Sequence, residues 1–106
     1  MKLKPTKQQL AFLDWEFGVF FHFGIRSFNP GRQDWDGVEM PPETFNPPSL
    51  DCEQWIRTVK EAGAKYAILT TKHHDGFALW PSKYSRYSVA DTPWKNGKGD
   101  VVREFV

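Results

Sequence analysis

The side chains best equipped for chemistry are three histidines, unevenly placed: His22 alone in "FGVFFHFG", and His73 beside His74 in "TTKHHDGFALW". A neutral imidazole offers one donor and one acceptor. Imidazoles also hold metals. Here there is no HxH or HExxH spacing, and neighbouring histidines rarely reach one ion, so a zinc centre stands only as an alternative. Plainer readings stand beside the chemical ones. His22, inside an apolar run, fits a core histidine bonded to backbone, and "HHDG" fits a tight turn, which Asp-Gly favours. Trp35, Trp80 and Trp94 fit loop packing as well as ligand platforms. Cys52 has no partner for an internal disulfide, and it falls on the inward face of a helix, a poor place for a nucleophile. "NGKGD" matches neither a P-loop nor GxGxxG.

The elements that must position these residues alternate along the chain. Residues 4–16 read as a helix that Thr6 can cap, with Leu10, Leu13 and Phe17 at helical spacing. The apolar run 17–23 reads as a strand buried on both faces. Residues 24–50, rich in Pro, Gly, Asn and Asp, form a long connection without evident structure of its own. Loops of that length in compact domains are usually functional or disordered, and Phe28, Trp35 and Phe45 favour a packed, functional one. Asp51 can cap the next helix, with Gln54 three residues on; Cys52, Trp55, Ile56, Val59 and Ala62 share its inward face, and Gly63 suits its end. Residues 65–71 read as a second strand, and "DVVREFV" begins another amphipathic helix.

Strand, loop, helix, repeated, is the pattern of a parallel α/β sheet. In such folds ligands meet the carboxyl ends of the strands. His22 ends the first strand, His73, His74 and Asp75 follow the second, and the 24–50 connection leaves from the same side. The sequence therefore predicts convergence of these residues on one rim. Two parallel strands cannot bury both faces, and a closed barrel takes on the order of 250 residues. The expected fold class is α/β: the N-terminal βα units of a (β/α)8 TIM-like barrel, incomplete in this chain, with residues 1–106 as a single truncated domain.

Composition narrows the partners. The 106 residues carry 14 basic and 13 acidic side chains, intermixed, for a net charge of +1, so no basic face points to nucleic acid. The aromatic share of 16%, with five Trp, suits a core built from large pieces or a sugar-binding or partner-binding surface. "MKLKPTKQQLAFLDW" lacks the apolar stretch of a secretory signal, and nothing approaches a membrane span. The expectation is a cytoplasmic protein without a membrane partner. Strand edges at 17–23 and 65–71 would be open, which favours self-association.

Three stretches, "EFGVFFHFGIRSF", "FNPPSLDCEQWIRTVKEAGAKYAILTTKHHDGFALWPSKYSRYSV" and "PWKNGKGDVVREFV", resemble in order the N-terminal part of the catalytic barrel of α-L-fucosidases, glycoside hydrolase family 29. The resemblance runs from about residue 4 to the end. It implies that His22, His73 and His74 bond hydroxyls of the fucose ring. It also implies that an acidic residue followed by Trp contacts the sugar, a part that falls on Asp34 and Trp35; the family usually has Glu where Asp34 stands. An aromatic edge such as Trp35 or Phe77 can pack against the methyl of a 6-deoxy sugar. The family's chemistry is a retaining double displacement by two carboxyl groups. Its nucleophile belongs near the end of a fourth strand and its acid/base lies later still, so no residue of this chain is assigned a catalytic part, and Asp75 is a loop-shaping residue. No metal or cofactor is implied. The expected function is that of a fragment of an α-L-fucosidase, supplying part of the pocket for a fucosylated glycan or small fucoside, and inactive alone. The alternative is a non-catalytic truncated or split-gene product that at most binds sugar or a complementary chain.

Overall fold

The computed structural model describes residues 2–31 and 35–106. The first helix, α1 (Lys7–Trp15), starts where Thr6 Oγ1 accepts from the Gln9 amide at 3.2 Å, while the Gln9 side chain accepts from the Thr6 amide at 2.7 Å. Strands β1 (Gly18–Phe21) and β2 (Tyr66–Leu69) pair in parallel, from Gly18 opposite Tyr66 to Phe21 opposite Leu69. Helix α2 (Cys52–Glu61) connects them, capped by Asp51, whose carboxylate accepts from the Gln54 amide at 2.9 Å. Asp100 caps α3 (Val101–Phe105) in the same way, through the Arg103 amide at 3.0 Å. The chain is thus an α/β fold with a small parallel sheet.

Both strands are shorter than the apolar runs that hold them. One bond beyond each end continues the ladder, Lys65 N to Phe17 O at 2.8 Å and Thr70 N to Phe21 O at 3.0 Å. Past these, His22, Phe23 and Thr71 enter the loops.

Side chains alternate across the pleat, so Val19, Phe21 and, just beyond, Phe23 share one side. That side faces the helices. Phe21 stacks on Trp55 of α2, with ring centres 5.4 Å apart, and meets Phe105 of α3 edge-on at 5.6 Å. The opposite side carries Gly18, Phe20, Tyr66 and Ile68. At its amino end, Tyr66 meets Phe12 and Trp15 of α1 at 4.9 and 6.2 Å. Gly18 makes room for that ring, since a Cβ there would lie 2.2 Å from it. Further along, Phe20 is 58% and Ile68 37% exposed. Burial of the first strand on both faces, expected from its continuous apolar run, is therefore not what the structure shows: one face is covered and the other is covered only at its foot.

No residue of α1 is buried: Leu10, Leu13 and, beyond its end, Phe17 are exposed, and so, to nearly the same degree, are Phe12 and Trp15, which meet Tyr66. One further expectation is corrected: Ala62 is exposed rather than on the inward face of α2, because α2 ends at Glu61 and Ala62 caps it, its amide donating to Thr58 O at 3.1 Å.

The best-buried cluster lies among the loops beyond the carboxyl ends of the strands. Ile25, Met40, Phe45, Phe77, Leu79, Tyr87, Val89 and Trp94 form it, together with Cys52 and Val101 from the first turns of α2 and α3. Phe45 is fully buried and touches the rings of Phe23, Phe28, Phe77 and Trp94, with centres 5.0–5.8 Å apart. The connection that looked unstructured contains two 3₁₀ turns, Ile25–Phe28, which packs into this cluster, and Pro42–Thr44, which lies between the cluster residues Met40 and Phe45 in sequence.

Candidate functional site

The carboxyl ends of β1 and β2 deliver the imidazoles. His22 follows β1 on the Phe20 side, where the two rings stack at 6.1 Å. His73 follows β2 by four residues, and its ring centre lies 5.8 Å from that of His22. Thr70 joins the two strand ends. Its hydroxyl donates to the Phe21 carbonyl at 3.1 Å and lies 2.9 Å from His73 Nε2. Nε2 gives that bond in one tautomer of the ring and takes it in the other.

The histidine loop is also a turn. The Gly76 amide donates to the His73 carbonyl at 3.0 Å, and Gly76 has φ +84°, the left-handed region where glycine is unstrained. The turn and the site are therefore the same object. Asp75 within it is buried, and its carboxylate accepts from the Phe77 amide at 2.9 Å. It also faces Arg26, whose Nε is 3.6 Å from Oδ2. Arg26 Nη2 turns the other way, to Asp36 Oδ1 at 3.0 Å and to the Val38 carbonyl.

Between these loops opens a cleft of about 290 Å³, lined by His22, Phe23, Arg26, Trp35, His73 and Asp75 among others. Trp35 stands at its mouth, 69% exposed. Behind the cleft, Tyr87 fastens the long connection: its hydroxyl accepts from the Met40 amide at 2.8 Å and donates to the Met40 carbonyl at 3.0 Å. Burial pushes the Tyr87 phenol above its ordinary value, which keeps the proton this double bond needs. Burial, and then the charges of Glu104 and Asp51, likewise raise the Cys52 thiol, away from thiolate chemistry.

Of the residues singled out in the sequence, His22, His73 and Trp35 line the cleft. His74 is exposed and is not among the lining residues, and Asp34 lies outside the described residues. Arg26, Thr70 and Tyr87 were not anticipated. Arg26 had a signal: a guanidinium set between Ile25 and Phe28 in an apolar stretch needs a partner. Among the described residues no group of three or more His, Cys, Asp or Glu is placed to hold a metal ion, and no helix is long and apolar enough to cross a membrane.

Imidazoles and an indole gathered at the ends of parallel strands define a small-ligand cleft of the α/β type. The family model for α-L-fucosidase matches residues 39–106. Alpha-L-fucosidase 1 of Arabidopsis thaliana is 44% identical over 101 residues, spanning 95% of this chain and 20% of the plant protein. The crystal structure of a glycoside hydrolase 29 family member from an unknown rumen bacterium superposes with a TM-score of 0.87 at 48% identity, over 95% of this chain and 18% of that one. A Ruminococcus gnavus GH29 fucosidase mutant in complex with fucose superposes at 0.83 and 33% identity, over 95% and 21%. The chain belongs to the α-L-fucosidase family, glycoside hydrolase family 29. It spans about a fifth of the length of these relatives.

Proposed function

We propose that this chain forms the first two βα units of a (β/α)8 catalytic barrel and supplies part of the fucose pocket of an α-L-fucosidase. The observation that carries the reading is the meeting of His22 and His73, 51 positions apart in sequence, at 5.8 Å on the rim of a cleft that also holds Trp35. Rings so placed can bond neighbouring hydroxyls of one pyranose, while the Trp35 indole covers the apolar side carrying the methyl. His74 and Asp34 remain candidate sugar contacts. The bond-breaking carboxylates of a retaining glycosidase lie outside these residues; Asp75, engaged with Phe77 and Arg26, is a loop former.

The test has two parts. Titrating L-fucose into the isotopically labelled chain should shift the ring signals of His22 and His73 and the Trp35 indole, and leave α1 unmoved. Incubating the chain with an aryl α-L-fucoside should release no nitrophenol above a buffer control. Unmoved ring signals would remove the sugar site, and hydrolysis by the chain alone would show that the catalytic groups are present after all.

One observation favours a second reading, a non-catalytic chain that binds a complementary one: the exposure of Phe20 and Ile68 on the open face of the sheet. Sedimentation that shows a monomer, unchanged when both are replaced by Ser, would count against it.

A further inference from the structure

Arg26 joins the two loops that flank the cleft. One carries Trp35, next to Asp36; the other carries His73, two residues before Asp75. The guanidinium reaches both: Nη2 bonds Asp36 Oδ1 at 3.0 Å and the Val38 carbonyl, and Nε faces Asp75 Oδ2 at 3.6 Å. Asp36 Oδ1 also accepts from the Val38 amide at 2.9 Å, so the segment just after Trp35 is folded onto the Arg26 contact. The Asp75 side chain is 3% exposed and that of Arg26 14%, which makes the tie an internal one.

Its chemistry is wasteful as a stability device. Arg26 Nε and Nη1 are buried and make no hydrogen bond among the described residues, so the guanidinium is desolvated without using its full donor set there. A half-satisfied buried cation costs stability, and its retention calls for another reason. Geometry supplies one, because a planar fork with several fixed donors holds two acceptors at a set angle as a single ammonium cannot.

We propose that Arg26 is a positioning residue: by gripping Asp36 and Asp75 together it fixes the Trp35 loop against the His73 loop and so sets the width of the cleft for a sugar ring. The sugar in that statement rests on the function proposed above; the tie itself does not.

Nitrogen–proton NMR spectra of the wild-type chain and of Arg26→Gln, Arg26→Lys and Asp36→Asn, with and without L-fucose, test both parts. In Arg26→Gln and Arg26→Lys the Trp35 indole signal should move and the Val38 amide should exchange about tenfold faster, the loss expected of one charge-assisted bond. The Met40 amide, held by Tyr87, should keep its protection and so report an intact core. Failure of Lys to rescue would show that geometry, not charge, is needed. Asp36→Asn, which cuts one arm at the surface, should release Val38 while leaving the His73 signal in place. The fucose-induced shift of His73 should shrink in Arg26→Gln. Trp35 and Val38 signals unchanged in both Arg26 variants would overturn the proposal, as would their release with undiminished fucose shifts. A released loop in a protein whose wild-type form ignores fucose would uphold the tie and sink the sugar reading alone.

Discussion

The loop layer and the sheet beneath it are built on opposite terms. The loops beyond the strand ends enclose a ring of aromatic side chains around Phe45, whereas the sheet leaves Phe20 and Ile68 in solvent. In most α/β folds the strands are the dry centre and the loops their wet trim. Here the best-packed region is the one that shapes the cleft, so the candidate site rests on neighbours contained in this chain. The sheet has the converse need, for elements that would cover its second face.

The sharpest way to break that contrast is to truncate one residue in each region. Phe45→Ala should cost about 3–5 kcal/mol, the usual loss for a buried Phe, while Phe20→Ser should change stability by less than about 0.5 kcal/mol. Chemical denaturation followed by tryptophan fluorescence measures both, and equal costs would erase the distinction. Next in size is Tyr87→Phe. It leaves the Met40 amide and carbonyl buried without their partner and should cost about 1–3 kcal/mol. The same denaturation curves read it; a neutral outcome would mean the clasp on the long connection is ornamental.

The smallest effect concerns protons. Cys52 and Tyr87 titrate above their ordinary values of 9.0 and 10.0, chiefly because burial disfavours the charged form. An acid whose folded pKa is raised stabilises the fold below its unfolded value, and that contribution is lost as pH climbs through the folded one. Stability should thus be flat in these two groups at neutral pH and fall above pH 9. Iodoacetamide should label Cys52 slowly at pH 8 and quickly only after unfolding; fast labelling of the native chain would place that thiol outside the loop core.

Much of this architecture is legible in the residues. Thr6 and Asp51 announce their helices, and the recurrence of strand, loop and helix announces parallel pairing. The meeting of His22 and His73 at one rim follows from that topology. Other features are not legible, for physical reasons. An apolar run cannot say where its ladder stops, and the ends fell at Phe21 and Leu69 because the chain turns into loop contacts there. Nor can it say which face finds a cover, since Phe20 and Phe21 look alike until α2 and α3 claim only one of them. His73 and His74 look equivalent as letters, yet the turn closed by Gly76 puts one on the cleft and leaves the other in solvent. Arg26 shows in the sequence only its need for a partner; which partners meet it, Asp36 and Asp75 from two different loops, is a relation that no local pattern encodes.

Thr70 carries a last implication. Through one oxygen it joins the final carbonyl of β1 to the imidazole of His73, so the pairing of the two strands and the attitude of that ring are coupled. A slip of one residue between the strands would withdraw the carbonyl and disturb the seat of the ring.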